Sequence, residues 1–205
     1  VPEVAGTLRV LSLRGAEIAG WLPAVARLRI AVFREYPYLY DGDEAYEARY
    51  LATYARSPGG VLVVVLDGEE VVGASTGMPL AGTEAEFQAP FLERRMPIET
   101  VFYCAESVLL REYRGRGLGH RFFDEREAHA RALGAFAWTA FAAVDRAEDD
   151  PRCPADYRSN APFWARRGYV RQPDMTMALA WKQVDCETET EQALTFWLRR
   201  LDCAK

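Results

Sequence analysis

The sequence holds only two histidines, His120 and His129, and its four cysteines, Cys104, Cys153, Cys186 and Cys203, are scattered without a Cys-x-x-Cys pair. A zinc site needs several nitrogen or sulfur ligands at short spacings, so no metal is expected. Cys104 lies inside an apolar run and reads as a buried free thiol serving as a small hydrophobe. Apolar runs such as 61–66 and 101–110 fall far short of the roughly 20 residues that span a bilayer, which excludes a membrane helix. Residues 1–15 contain an acid, Glu3, and no continuous apolar stretch of signal-peptide type. Unless an upstream segment has been removed, the expected location is cytoplasmic. Basic charge is short as well: a net charge of −5 excludes broad electrostatic binding to nucleic acid and suits a cationic or neutral partner better. Low-complexity segments and internal repeats are missing.

Half of the 205 residues are hydrophobic and 27% are charged, the composition of a well-packed globular domain. Weak alternation over 7–13 is compatible with a first strand. Ile18, Trp21, Leu22, Val25, Leu28, Val32 and Phe33 then recur at the steps of an amphipathic helix, whose regular part begins near Pro23. Asp43 reads as the N-cap of a helix running to about Arg56. Residues 61–66 and 71–78 form a hairpin around Asp67-Gly68, and 79–97 a long connection with a short helix. A strand over 101–110, a glycine-rich turn, a helix over 117–133, a strand over 135–144, a short helix over 161–167 and strands at 169–170 and 175–184 follow. Residues 187–201 are acidic first and basic last, with Leu194, Trp197, Leu198 and Leu201 on one stripe, which predicts a C-terminal helix. The expected division is one domain over 1–185 and a helical tail over 186–205, packed on the domain or on a partner subunit, with a homodimer as the candidate assembly.

The segment Arg114-Gly115-Arg116-Gly117-Leu118-Gly119 joins a strand to a helix. The first N–H groups of a helix lack intrahelical partners and its dipole favours negative charge there, so such a junction is an anion site. Glycines let a phosphate approach the main chain, and the arginines add cationic donors. A Walker loop would end in Gly-Lys-Ser/Thr, whereas Gly119 is followed by His120 and Arg121; a dinucleotide fingerprint would need glycine at His120. Both fail on spacing.

Arg114, Gly117 and Gly119 fit the pattern Arg/Gln-x-x-Gly-x-Gly/Ala, and in this the chain resembles the GNAT N-acetyltransferase superfamily. Phe163-Trp164-Ala165-Arg166-Arg167-Gly168-Tyr169 resembles that family's later segment, and the element order follows it over about 7–184. The resemblance implies an α/β fold whose central mixed, mostly antiparallel sheet is flanked by helices. It also implies acetyl-CoA as acyl donor, with direct transfer to an amine and no covalent enzyme intermediate. In such enzymes the main chain of Ser107, Val108 and Leu109 would hold the pantetheine arm, and the Leu109 N–H would face the thioester carbonyl. Arg114 to Gly119 (Arg114, Gly115, Arg116, Gly117, Leu118 and Gly119) would bind the pyrophosphate with His120 nearby, and Asn160, Phe163 and Trp164 would close the cleft.

Glu106, an acid within the apolar run, is the first candidate for general base; pairing with an arginine or a solvated position is the alternative, and Glu99 the second candidate. Where relatives carry a tyrosine as general acid, this chain has Trp164, whose indole N–H donates but is no acid at neutral pH. Tyr157 or water would stand in. That departure leaves a second reading, a fold that binds acyl-CoA without turnover. Neither His120 nor His129 is expected to act in the chemistry. Glu35, Tyr36, Tyr38, Tyr40, Asp41 and Asp43 combine aromatic faces with carboxylates and suit a small primary amine, with Glu35, Tyr38 and Tyr40 as the candidate contacts. The alternative is that this loop simply packs on the core and caps a helix.

Overall fold

The computed structural model of the chain describes residues 8–201; Thr7, at the start of the first expected strand, Cys203 and the end of the expected tail lie outside the described residues. The elements are β1 (Arg9–Arg14), a 3-10 segment (Gly15–Trp21), α1 (Leu22–Phe33), α2 (Glu44–Arg56), β2 (Val61–Asp67), β3 (Glu70–Pro79) and α3 (Ala85–Glu93). Then come β4 (Val101–Tyr103), β5 (Ser107–Leu109), α4 (Leu118–Leu133), β6 (Trp138–Val144), α5 (Ala161–Arg166), β7 (Val170–Lys182) and β8 (Glu189–Arg200). Strand order in the sheet is β1-β2-β3-β4-β6-β8-β7, with β5 pairing β3. Every pairing is antiparallel except β4 with β6. This is the mixed, mostly antiparallel sheet flanked by helices that the resemblance implies. Local rules place the ends: a proline opens α1, and the Asp43 carboxylate accepts the Tyr46 N–H at 2.8 Å to cap α2.

β2 is buried on both faces. Val61, Val63 and Val65 pack with Phe122, Phe123 and Ala130 of α4, while Leu62 and Val64 pack with Val25, Leu28, Leu51 and Tyr54 of α1 and α2. A third cluster joins Phe87 and Phe91 of α3 to Met175, Met177, Leu194 and Phe196.

Two expectations are corrected. The single strand over 101–110 is broken: β4 and β5 are separated at Cys104, Ala105 and Glu106. The helix over 187–201 is instead β8, lying between β6 and β7, so the tail expected to pack outside the domain is central to its sheet. The misleading stripe has a physical origin. Leu194, Phe196 and Leu198 face one core and Trp197 and Leu201 the other, and two-faced burial of a strand superposes into three- and four-residue spacings.

His129, on α4, is 5% exposed and donates its Nε2–H to the Gly59 carbonyl at 3.0 Å, edge-on to the Phe102 ring. Burial lowers its pKa, and nearby Arg14 adds to that against the Gly59 bond. Because the folded value lies below the unfolded one, the unfolded state takes up the proton first as pH falls. Stability is therefore full above the ordinary histidine range and declines as pH drops through it. The urea midpoint should fall between about pH 7.5 and 5.5, and His129→Gln, which keeps a donor to Gly59, should fall less over that window. Parallel curves for the two proteins would remove His129 as the cause.

Candidate active site

The break between β4 and β5 is a bulge. Ala105 donates its N–H to Thr76 O at 3.1 Å, and Thr76 donates its own N–H to Glu106 O at 3.1 Å, so two residues oppose one. Beyond it β5 follows β3, with Val108 opposite Ala74 and the Leu110 N–H donated to Val72 O at 3.0 Å. Main-chain groups alternate along an antiparallel pair, so Ser107 and Leu109 turn theirs away from β3. On that side β6 has already departed: its pairing with β4 ends at Tyr103–Ala140, followed by the Cys104 N–H to Ala140 O bond at 2.7 Å, and from there it pairs with β8 alone. The edge of β5 is an open wedge. The Leu109 carbonyl accepts from Arg114 Nε at 3.0 Å, which leaves the Leu109 N–H facing the opening.

β5 leads into the glycine turn. Gly115 and Gly117 adopt φ of 76° and 80°, a left-handed conformation closed to most side chains, and a Cβ at either would meet nothing within 4 Å. Gly117 is the N-cap of α4, whose first turn has no acid and no side-chain cap, so its leading N–H groups face open space. A Cβ on Gly119 would touch the Phe163 ring at 3.4 Å, which seats α5 against the turn. Arg114 also pairs with Glu35 at 3.0 Å, and Arg116 donates to Glu112 O at 3.0 Å.

On the other side of the bulge lies a cleft of about 470 Å³ between α1, α2 and the β7–β8 end of the sheet. At its inner end Arg29 sits between two buried carboxylates, bonded through Nε to Glu47 and 2.7 Å from Glu106 Oε1, the latter contact lying off hydrogen-bond alignment. Tyr50 donates to Glu106 Oε2 at 3.0 Å and its oxygen lies 2.7 Å from that of Tyr54. The guanidinium also lies over the Tyr50 and Phe33 rings, at 4.6 and 5.0 Å. Burial alone would lower the Arg29 pKa, but Glu106, Tyr50 and Glu47 outweigh it and hold it well above the usual value. Burial, reinforced by the Glu106 charge, pushes the Tyr38 hydroxyl up to about 12 and Tyr50 well above its ordinary value. One guanidinium shared by two carboxylates leaves an excess negative charge in an aromatic setting.

The expected site residues divide between these two places. Ser107 and Leu109 present their main-chain groups to the wedge, whereas Val108, expected with them, spends its own on Ala74 of β3 and buries its side chain against α1 and α2; Arg114, Gly115, Arg116, Gly117, Leu118, Gly119 and His120 form the turn. Phe163 packs on Phe123 and on His120, while Trp164 packs between Phe141 and Trp197. Asn160 is exposed and its side chain makes no capping bond. Tyr157 is 37% exposed, packs edge-on to Tyr36 at 4.7 Å, and follows Asp156, which pairs with Arg111 just after β5. Tyr38 and Tyr40 line the cleft; Glu35 does not, and is held instead by Arg111 and Arg114 beside the glycine turn. Glu99 lies in the turn before β4 and outside the cleft lining.

Sequence reading missed Arg29, Glu47, Tyr50 and Trp181. A signal existed for two of them: Arg29 interrupts the apolar face carrying Val25 and Leu28, and Glu47 shares a helix face with Leu51 and Tyr54. Trp181, whose Nε1–H binds the Tyr38 carbonyl at 3.1 Å, carries no such mark.

Residues 25–151 match the model of the acetyltransferase (GNAT) family. No curated protein matches the sequence. Among solved structures, an N-acetyltransferase from Staphylococcus aureus Mu50 superposes with a TM-score of 0.62 at 11% identity, covering 96% of this chain and 100% of the other. A ribosomal-protein-alanine N-acetyltransferase from Brucella melitensis gives a TM-score of 0.60 at 14% identity, covering 93% and 99%. A protein from Salmonella typhimurium assigned to the acetyltransferases, solved with its cofactor acetyl-CoA, gives 0.58 at 14% identity, covering 95% and 94%.

Replacing Gly117 by aspartate puts a strained residue and a negative charge where a phosphate would meet the helix. Gly117→Asp should abolish acetyl-CoA binding in calorimetry, with at least about a hundredfold loss of affinity. A folded variant with wild-type affinity would place the phosphates elsewhere.

Proposed function

The chain belongs to the GNAT acetyltransferase family, and on that footing we propose that it moves an acetyl group directly from acetyl-CoA to a small primary amine, with Glu106 as proton acceptor. Acetyl-CoA is the acyl donor of this family, and the residues present suit it: the glycine turn for phosphates and the free edge of β5 for the pantetheine amides. The observation that carries the reading is that one bulge has two outlooks. The Leu109 N–H faces the wedge, and three residues earlier the Glu106 side chain lines the aromatic cleft.

The acceptor enters as an ammonium, drawn by the uncompensated charge of the Glu47–Arg29–Glu106 group and by the faces of Tyr38 and Tyr40. Glu106 takes one proton from nitrogen. The freed lone pair forms the C–N bond at the thioester carbonyl carbon, and the Leu109 N–H stabilises the negative charge that develops on oxygen. The C–S bond then breaks, the nitrogen gives its second proton to solvent water, and the thiolate takes one up. We assign that last proton to Tyr157, a phenol that holds its proton at neutral pH, with a pKa raised further by partial burial, and whose loop is tied to the end of β5 through Asp156 and Arg111. Trp164 is engaged in packing with Phe141 and Trp197.

A panel of primary amines, scored by thiol release from acetyl-CoA, tests the activity. Glu106→Gln should lower kcat about a hundredfold or more while leaving acetyl-CoA affinity unchanged, and Tyr38→Ala should raise acceptor KM with the same affinity retained. Tight acetyl-CoA binding without thiol release for any amine would favour a fold that binds acyl-CoA without turnover. Full activity of Glu106→Gln would return Glu106 to a structural ion pair.

A further inference from the structure

Arg126 projects from α4, the helix whose first turn forms the anion site, and is 1% exposed. Its Nη1 donates to Thr76 O at 3.2 Å and to Glu106 O at 3.1 Å, its Nε donates to Phe122 O at 3.2 Å, and the guanidinium lies 4.7 Å from the centre of the Phe123 ring. None of the ion pairs among the described residues includes it. A buried cation satisfied by carbonyls alone is an expensive way to fill a core, since a methionine or leucine would pack there without desolvating a charge.

The two sheet carbonyls it holds are not arbitrary. Thr76 O is the acceptor for Ala105 and Glu106 O is the acceptor for Thr76, so one nitrogen takes up a second lone pair on each of the carbonyls that define the bulge. Bulge and reaction geometry are linked by strand periodicity. If Ala105 and Glu106 relaxed into regular pairing, the register beyond would slip by one residue and the Leu109 N–H would turn toward β3. We propose that Arg126 is a positioning residue that locks this bulge from beneath and so keeps the Leu109 N–H aimed at the thioester carbonyl, tying that donor to the helix that receives the phosphates. The proposal rests on the role given above to the Leu109 N–H.

The test reads the carbonyl itself and needs no acceptor. With [1-13C]acetyl-CoA, isotope-edited infrared spectra of the bound thioester should show its carbonyl band below that of the free compound in the wild-type protein. Arg126→Met should bind acetyl-CoA within about threefold of wild type yet lose most of that displacement, and Arg126→Lys, which keeps one donor, should fall between. A folded Arg126→Met protein with the full displacement overturns the proposal, and so does one that no longer binds acetyl-CoA, because Arg126 would then belong to the phosphate site. Should Arg126→Met not fold, Arg126→Lys decides: a reduced displacement supports the role and a full one removes it. Absence of displacement in the wild-type protein would fail the Leu109 assignment first and this proposal with it, whereas a displaced band unchanged in both variants fails Arg126 alone.

Discussion

The parting of the sheet after Tyr103 and Ala140 is the constraint from which the rest of the site follows. Up to that point β4 and β6 run parallel and hydrogen-bonded; past it, the chain kinks through Ala105 and Glu106 and keeps company with β3 while β6 keeps company with β8. A continuous strand over 101–110 would spend every main-chain group on its neighbours. The kinked one leaves a row of groups free at the edge of β5, in a crevice closed below by α4 and α5. Sheets manage exposed edges because they invite further pairing, and here the exposed edge is short, internal to the sheet and adjacent to the uncapped, glycine-rich start of α4.

The same kink decides the electrostatics of the opposite side. Turning Glu106 into the space between α1 and α2 buries a carboxylate, and the structure answers with Arg29, stacked between Tyr50 and Phe33 and shared with Glu47. A buried pair of opposite charges would be neutral and indifferent to a cation; a trio with two carboxylates is not. Burial raises the pKa values of Tyr38, Tyr50, Tyr54 and Tyr103, and the Glu106 charge adds to it, so they remain neutral hydroxyls and supply ring faces and donors without adding charge. The Asp41 and Asp43 carboxylates noted in the sequence also line the cleft, Asp41 paired with Arg34 and Lys182 and Asp43 serving as the helix cap.

How much of this was legible follows from how local each cause is. The glycine turn, the start of α1, the Asp43 cap and the β2–β3 hairpin are set by residues adjacent in sequence, and each is found where the pattern puts it. The break at Ala105 has no local mark: its partners are Thr76 across the ladder and Arg126 beneath it, both distant in sequence. β8 was unreadable for the opposite reason: its pattern is strong but ambiguous, since a strand buried on both faces loses the alternation that distinguishes it from a helix. Glu35 lies outside the cleft because Arg111 and Arg114, distant in sequence, hold it beside the glycine turn, a contact that no local pattern marks.

β7 and β8 build one wall of the aromatic cleft, away from the stretch that carries the wedge and the glycine turn. The wedge, the turn and α4 all fall within residues 25–151, the stretch that carries the family match, whereas the far wall of the cleft is built from Met177, Leu179, Trp181, Lys182, Glu189 and Leu194. Trp181 reaches back to the Tyr38 carbonyl, and Arg146 holds the Pro37 and Tyr38 carbonyls together with Gln192 of β8, so the aromatic loop is fixed against the two closing strands and not only against its own helices. The wedge and the glycine turn are thus specified by a compact run of sequence. If the cleft takes the acceptor as proposed, acceptor choice is distributed over the loop, α2 and the last two strands, where a change in one side chain alters the cleft without touching the bulge, and one fold can keep its donor chemistry while its acceptors vary.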